Sequence, residues 1–151
     1  MNNLLPIHFA PLQGYTDAAY RQAHARIFGG IDTYYSPFVR VEHGEIRRKD
    51  ARDIHPDNNR NIHLIPQLIA SCPNKLEQIM SLLTKYNYQE ADINLGCPFP
   101  MLAKRHNGAG MLPYPEEVKD LLTAAIEQYP QIRFSVKLRL GWENASECIA
   151  L

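Results

Sequence analysis

The run Asn94-Leu95-Gly96-Cys97-Pro98 sets one thiol between a residue free to take unusual backbone angles and one that fixes the chain's direction. It closes Glu90–Cys97, a stretch that reads as a buried strand. A buried cysteine is commonly just a small apolar residue. The strand-end position and the glycine-rich loop that follows set Cys97 apart, whereas Cys72 and Cys148 lack such surroundings and keep the bland reading. Lys137 shares the parity of Ser135 and Arg139 within the alternating segment Arg133–Trp142, opposite to Val136 and Leu138. A cation turned inward needs a partner. Either an anionic ligand or Asp92, on a neighbouring strand, supplies it. Gln67 and Asn94 are amides near the ends of adjacent strands, able to donate and accept toward a heterocycle or to be satisfied by backbone. Gly108-Ala109-Gly110 precedes a helix and leaves room for a ligand to approach.

Those residues need a scaffold that brings strand ends together. Ile7–Leu12 reads as a first strand, turning at Gln13-Gly14-Tyr15; Thr16 or Asp17 then caps a helix over Ala18–Phe28, which Gly29-Gly30 stops. Asp32–Val41 is a second strand. The polar stretch Glu42–Asn61, with the basic cluster Arg47-Arg48-Lys49 and Arg52, is long for a loop and calls for short helical turns. Ile62–Ala70 is a third strand, and Pro73 opens a helix with Leu76, Ile79, Met80 and Leu83 at helical spacing. Tyr114–Tyr129 is a further helix and Arg133–Trp142 a fifth strand.

Strand–helix alternation with short connections implies an α/β fold with a parallel sheet covered by helices, either a doubly wound sheet or a (β/α)8 TIM barrel. No GxGxxG follows the first strand, which counts against a dinucleotide-binding doubly wound domain. A barrel needs about 250 residues. The expectation is therefore the N-terminal, roughly five β/α units of a barrel, with active-site residues at the strands' C-terminal ends.

Composition narrows the class further. The 151 residues are 45% hydrophobic and 21% charged, ordinary for a globular domain. Sixteen basic residues balance sixteen acidic ones, so any nucleic-acid binding must come from local patches. Three cysteines without a CxxC and six scattered histidines argue against a disulfide framework or a metal site. No apolar run reaches the ~18 residues that would cross a bilayer, and the N-terminus lacks a signal-peptide pattern, so no membrane partner and a cytoplasmic location are expected.

Three segments, in order, resemble the tRNA-dihydrouridine synthase family. Ala10-Pro11-Leu12-Gln13-Gly14-Tyr15-Thr16-Asp17 is similar to its flavin-contact Ala-Pro-Met-x-x-x-Thr-Asp motif, with Leu12 in place of Met. Asn94–Pro98, followed by Lys104 and Gly108–Leu112, is similar to the catalytic loop, and Val136–Trp142 to its Val-Lys-x-Arg-x-Gly-Trp strand. Phe38-Val39-Arg40-Val41 is reminiscent of one bacterial branch. The resemblance implies an FMN-dependent barrel that reduces tRNA uridines with NADPH. In it Ala10, Pro11 and Leu12 line the flavin. Gln67 and Lys137 hydrogen-bond the isoalloxazine, Asn94 holds flavin or base, and Arg139 belongs to the same cofactor-binding strand. Cys97 is the general acid that protonates C5 after hydride reaches C6.

The resemblance also implies parts not found in this sequence: a His-Gly-Arg motif, the phosphate-gripping barrel end and a C-terminal helical tRNA-binding domain. The chain then reads as the N-terminal portion of a catalytic barrel. A non-catalytic fragment, or a half-barrel completed by self-association through its exposed strand edges, is a competing reading. Another FMN barrel such as a dihydroorotate dehydrogenase, which has a related Asn-x-x-Cys-Pro turn, is a third.

Overall fold

The computed structural model describes residues 5–149. Its strands are short and parallel. β1 (His8–Phe9) pairs with β2 (Thr33–Tyr35), and β2 with β5 (Leu64–Ile65); β6 (Gln67–Leu68) pairs with β7 (Glu90–Leu95), and β7 with β8 (Arg133–Leu138). Two three-stranded parallel sheets result. β3 (Val41–Glu42) and β4 (Glu45–Ile46) form a separate antiparallel hairpin. The described residues close no barrel.

The expected third strand, Ile62–Ala70, is split by Pro66 into β5 and β6. Proline has no N–H to donate to a ladder, which interrupts the regular pairing. Its carbonyl still accepts from the Asp92 N–H at 3.0 Å, so the sheets meet at this residue. The expected second strand also stops early, at Tyr35. Val39 nevertheless lies parallel to Leu68, donating to the Gln67 carbonyl at 2.8 Å and accepting from Ile69 N–H at 3.0 Å. The fourth and fifth strands end at Leu95 and Leu138, two and four residues sooner than the sequence pattern suggested.

The helices follow their signals. α1 (Ala18–Ile27) is capped by Asp17, whose carboxylate accepts from the Tyr20 N–H. α2 (Arg48–Asp53) and a 3-10 turn at Pro56–Asn58 occupy the long polar connection. α3 (Pro73–Lys85) buries Leu76, Ile79, Met80 and Leu83 completely, and α5 (Pro115–Gln128) buries Val118, Leu121 and Ala125. Their apolar stripes cover the β6–β8 face made by Leu68, Ala91, Ile93 and Leu95, with Phe134 and Val136 packed alongside. α4 (Pro100–Ala103) is a single turn after the Cys97 segment.

One buried ion pair ties the first helix down. Arg21 is 0% exposed and donates to Asp53 Oδ2 at 3.1 Å, to Asn59 Oδ1 at 2.8 and 3.2 Å, and to the Thr16 and Asp53 carbonyls. The other Asp53 oxygen accepts from Ala18 N–H at 2.6 Å, so one carboxylate joins α2 to the first turn of α1.

Candidate active site

Because side chains alternate along a strand, burying Ala91, Ile93 and Leu95 under the helices turns Glu90, Asp92 and Asn94 to the opposite face. Register then sets Ser135 beside Asp92 and Lys137 beside Asn94, with Gln67 beside Asp92 on the other flank. The polar face is organised in levels. At the N-terminal ends of the strands His63 and Arg133 both bond to Glu90, and the second nitrogen of His63 meets the Thr33 hydroxyl at 3.2 Å. Burial works against the charge of Glu90, but the bonds from Arg133 and His63 outweigh it and hold its carboxyl below the usual range.

One level up, Asp92 is 3% exposed, accepting from Gln67 Nε2 and from Ser135 Oγ, both at 2.7 Å. Burial raises the Asp92 pKa, and these bonds together with the nearby Lys137 charge offset only part of the rise. Tyr35, within 3.2 Å of His8 Nδ1, faces the same level. Its own pKa is raised by burial first and by the Asp92 charge second.

At the C-terminal ends the network reaches Cys97. Gln67 is 1% exposed and Asn94 8%; Asn94 Nδ2 donates to Gln67 Oε1 at 2.8 Å. Asn94 Oδ1 in turn accepts from the Gly96 and Cys97 N–H groups at 3.1 and 2.9 Å. An asparagine three residues ahead of the cysteine therefore shapes the turn that presents it. The direction of the Gln67 amide follows from the same chain, because only its NH2 end can face the Asp92 carboxylate.

Gly96 has no left-handed φ, and a Cβ there would make only ordinary contact with the β8 backbone at 3.5 Å. The unusual angle belongs to Gly108, at φ +59°. A Cβ there would lie 2.8 Å from the Cys97 carbonyl oxygen, and Ala109 N–H donates to that same oxygen at 3.0 Å. At Gly110 a Cβ would meet the Ala103 carbonyl oxygen at 2.3 Å. The Gly108–Gly110 segment is thus filled by the protein itself, as a 3-10 turn clamped on Cys97 and α4, and leaves no room there for a ligand.

Lys137 is exposed and makes no ion pair or hydrogen bond among the described residues. The sequence left Asp92 as one of its two candidate partners; Ser135 and Gln67 occupy Asp92 instead. Arg139 is likewise exposed beyond the end of β8. Ala10, Pro11 and Leu12 follow β1, at the opposite end of the strand order. Their turn is internally tied by Leu12 N–H to Thr16 Oγ1 at 2.8 Å, and Gln13 Oε1 accepts from Phe38 N–H at 3.0 Å. The structure thus brings Gln67, Asn94, Cys97 and Lys137 together, while residues 10–12 follow the far strand and Arg139 lies past the end of β8, none of them bonded to the group. The reading of the sequence missed Tyr35, and it gave the two clamping glycines to a ligand where the fold gives them to Cys97 and Ala103. Parity with Thr33 on β2 was the available signal for Tyr35.

The dihydrouridine synthase (Dus) family model matches residues 8–151. The chain belongs to the dihydrouridine synthase family. The tRNA-dihydrouridine(16) synthase of Haemophilus ducreyi is 29% identical over 152 residues, covering 96% of this chain and 46% of that protein. The tRNA-dihydrouridine(16) synthase of Neisseria meningitidis serogroup A is 29% identical over 150 residues, covering 95% of this chain and 45% of that protein. The tRNA-dihydrouridine synthase B of Klebsiella pneumoniae is 27% identical over 134 residues, covering 89% and 41%. The chain spans about half the length of these relatives. Among solved structures, active domain 2 of a Pyrococcus furiosus chitinase superposes with a TM-score of 0.51 at 14% identity, covering 88% of this chain and 47% of that one. That likeness concerns the fold alone. Among the described residues there is no cluster of three or more metal-ligating side chains and no helix long and apolar enough to cross a membrane.

Proposed function

We propose that this chain is the N-terminal portion of a (β/α)8 flavin-binding barrel that reduces uridine to 5,6-dihydrouridine in tRNA. The observation that carries the reading is the Gln67–Asn94–Cys97 network beside an unpaired Lys137, in a chain of this family. The parallel strands in consecutive order fit part of a barrel, which the remainder of a longer protein would close.

The residues fit FMN. Lys137 stands as an uncommitted cation next to Asn94, suited to the electron-rich edge of a reduced isoalloxazine, and Gln67 and Asn94 offer mixed donors and acceptors to its heteroatoms. Pro11 and its neighbours would line one side, with Arg139 at the rim. When bound and reduced by NADPH, FMN would supply the hydride for C6 of the uracil. Cys97 holds the balancing proton and delivers it to C5, so that one H⁻ and one H⁺ saturate the double bond. Asn94 fixes where that thiol stands by holding its backbone N–H. The target base must leave the RNA stack to reach this face.

In the enzyme that contains this chain, Cys97→Ala should lower dihydrouridine formation by roughly 10²–10⁴-fold, the usual worth of a positioned proton donor. Flavin reduction by NADPH should be unchanged. Mass spectrometry of tRNA nucleosides and stopped-flow flavin absorbance read the two half-reactions. Equal loss in both would remove Cys97 from the proton-transfer role.

A further inference from the structure

The loop clamped on Cys97 carries a second feature on its outer side. His106 and Tyr114 stack with centroids 4.0 Å apart and planes 13° from parallel. Glu117 holds the His106 ring through Nδ1 at 2.8 Å, and His106 sits at φ +50°, so the ring's position is set by a hydrogen bond and by the local backbone. Tyr114 remains 43% exposed. The pair opens on a cavity of about 470 Å³ that also takes in Lys104 and Trp142, the latter 37% exposed. That volume lies within the range of small-molecule sites.

The charges around it are unevenly committed: Glu143, also on the lining, has no ion-pair partner among the described residues. Glu147 is used up in accepting from the N–H groups of Trp142, Glu143 and Asn144 at 2.6, 3.2 and 3.1 Å. Glu117 is used up on His106. Lys104 has no ion-pair partner among the described residues. Two aromatic surfaces beside an unpaired cation are what an unstacked nucleotide needs: a π-face for its base and a positive charge for its phosphate.

We infer that the His106–Tyr114–Trp142 cavity stacks an unpaired nucleobase next to the target uridine, with Lys104 on the adjoining phosphate. The inference rests on the proposed function, since a base pulled from the stack leaves a neighbour exposed. The connection to Cys97 is short: Gly108 and Ala109, which grip the cysteine's backbone, follow His106 by two and three residues. A base seated on the platform would bear on the segment that positions the proton donor.

Trp142 is the single tryptophan of the chain, so its fluorescence reports on this cavity alone. A titration with a single-stranded pentauridylate should quench it saturably. Tyr114→Ala should weaken binding by roughly 5- to 150-fold, the range a lost base–aromatic stack gives. Tyr114→Phe, which keeps the ring, should bind as the parent does. An abasic oligonucleotide with the same phosphates should quench little. Equal quenching by the abasic strand, or unchanged affinity in both Tyr114 variants, would overturn the inference. Saturation by NADP⁺ or by a proline-rich peptide at lower concentration than by the oligonucleotide would do the same. The titration needs neither flavin nor turnover. Absent dihydrouridine formation with base-dependent quenching intact would instead count against the proposed function and leave the cavity assignment standing.

Discussion

Gly108→Ala tests whether the Cys97 turn depends on a missing side chain two strands' breadth of sequence away. At φ +59° an alanine pays about 1–2 kcal/mol for the left-handed conformation. Its methyl would also stand 2.8 Å from the Cys97 carbonyl oxygen and 3.0 Å from the Cys97 Cβ. Neither is the end of a flexible side chain, so the backbone must shift, at a cost of the same order as overpacking a core, about 1–3 kcal/mol. The combined loss is about 2–5 kcal/mol. With a urea slope of about 1–3 kcal/mol per molar, the unfolding midpoint should fall by at least ~0.7 M. The displaced atoms belong to Cys97 itself, so its thiol should react with iodoacetamide at a changed rate while Cys72 does not, as followed by peptide mass spectrometry. An unchanged midpoint together with unchanged Cys97 reactivity would mean that the clamp is not what holds the turn.

Two further outcomes follow from the buried charges. The Asp92 pKa is raised in the folded protein, so the folded state holds its proton more tightly than the unfolded chain does. Stability from this group is therefore lost as pH rises from the unfolded value, about 3.9, through the folded one. Asp92→Asn, which can still accept from Gln67 and donate to Ser135, should show a smaller decline in urea midpoint between pH 4 and 8 than the parent; parallel curves would refute the assignment. Arg21→Met should cost about 3–5 kcal/mol, because Asp53, its side chain only 11% exposed, loses its cation and Asn59 loses both of its guanidinium donors. A thermal or urea measurement placing the loss under about 1 kcal/mol would show that the pair is replaceable.

The strand ends and helices were legible in the sequence because each has a local cause. Leu76, Ile79, Met80 and Leu83 carry a helical period, and Pro73 and Pro115 mark first turns. Parity alone turned Lys137 and Ser135 to one face, and the register adds Asn94 to it. What stayed hidden depends on pairing across distance. Asp92 could meet either Lys137 or its flanking neighbours, and only the register shows that Ser135 and Gln67 take both carboxylate oxygens. Pro66 could be seen, but its splitting of a strand follows from which side of the ladder its missing N–H faces. Arg21 reads as one more polar helix position, because Asp53 and Asn59 lie 32 and 38 residues further along. Gly108 and Gly110 looked like space. In the folded chain that space is taken by Cys97 and Ala103.

The Gln67 amide already has one bond at each end, to Asp92 and to Asn94. A ligand that hydrogen-bonds Gln67 must use its spare lone pair or its second amino hydrogen. It then joins a line of dipoles, without displacing any member, that ends on the N–H of Cys97. Hydrogen bonds in such a line polarise one another. The thiol's backbone would thus register an occupant that never touches sulfur, and the cysteine would be set differently when the site is filled than when it is empty.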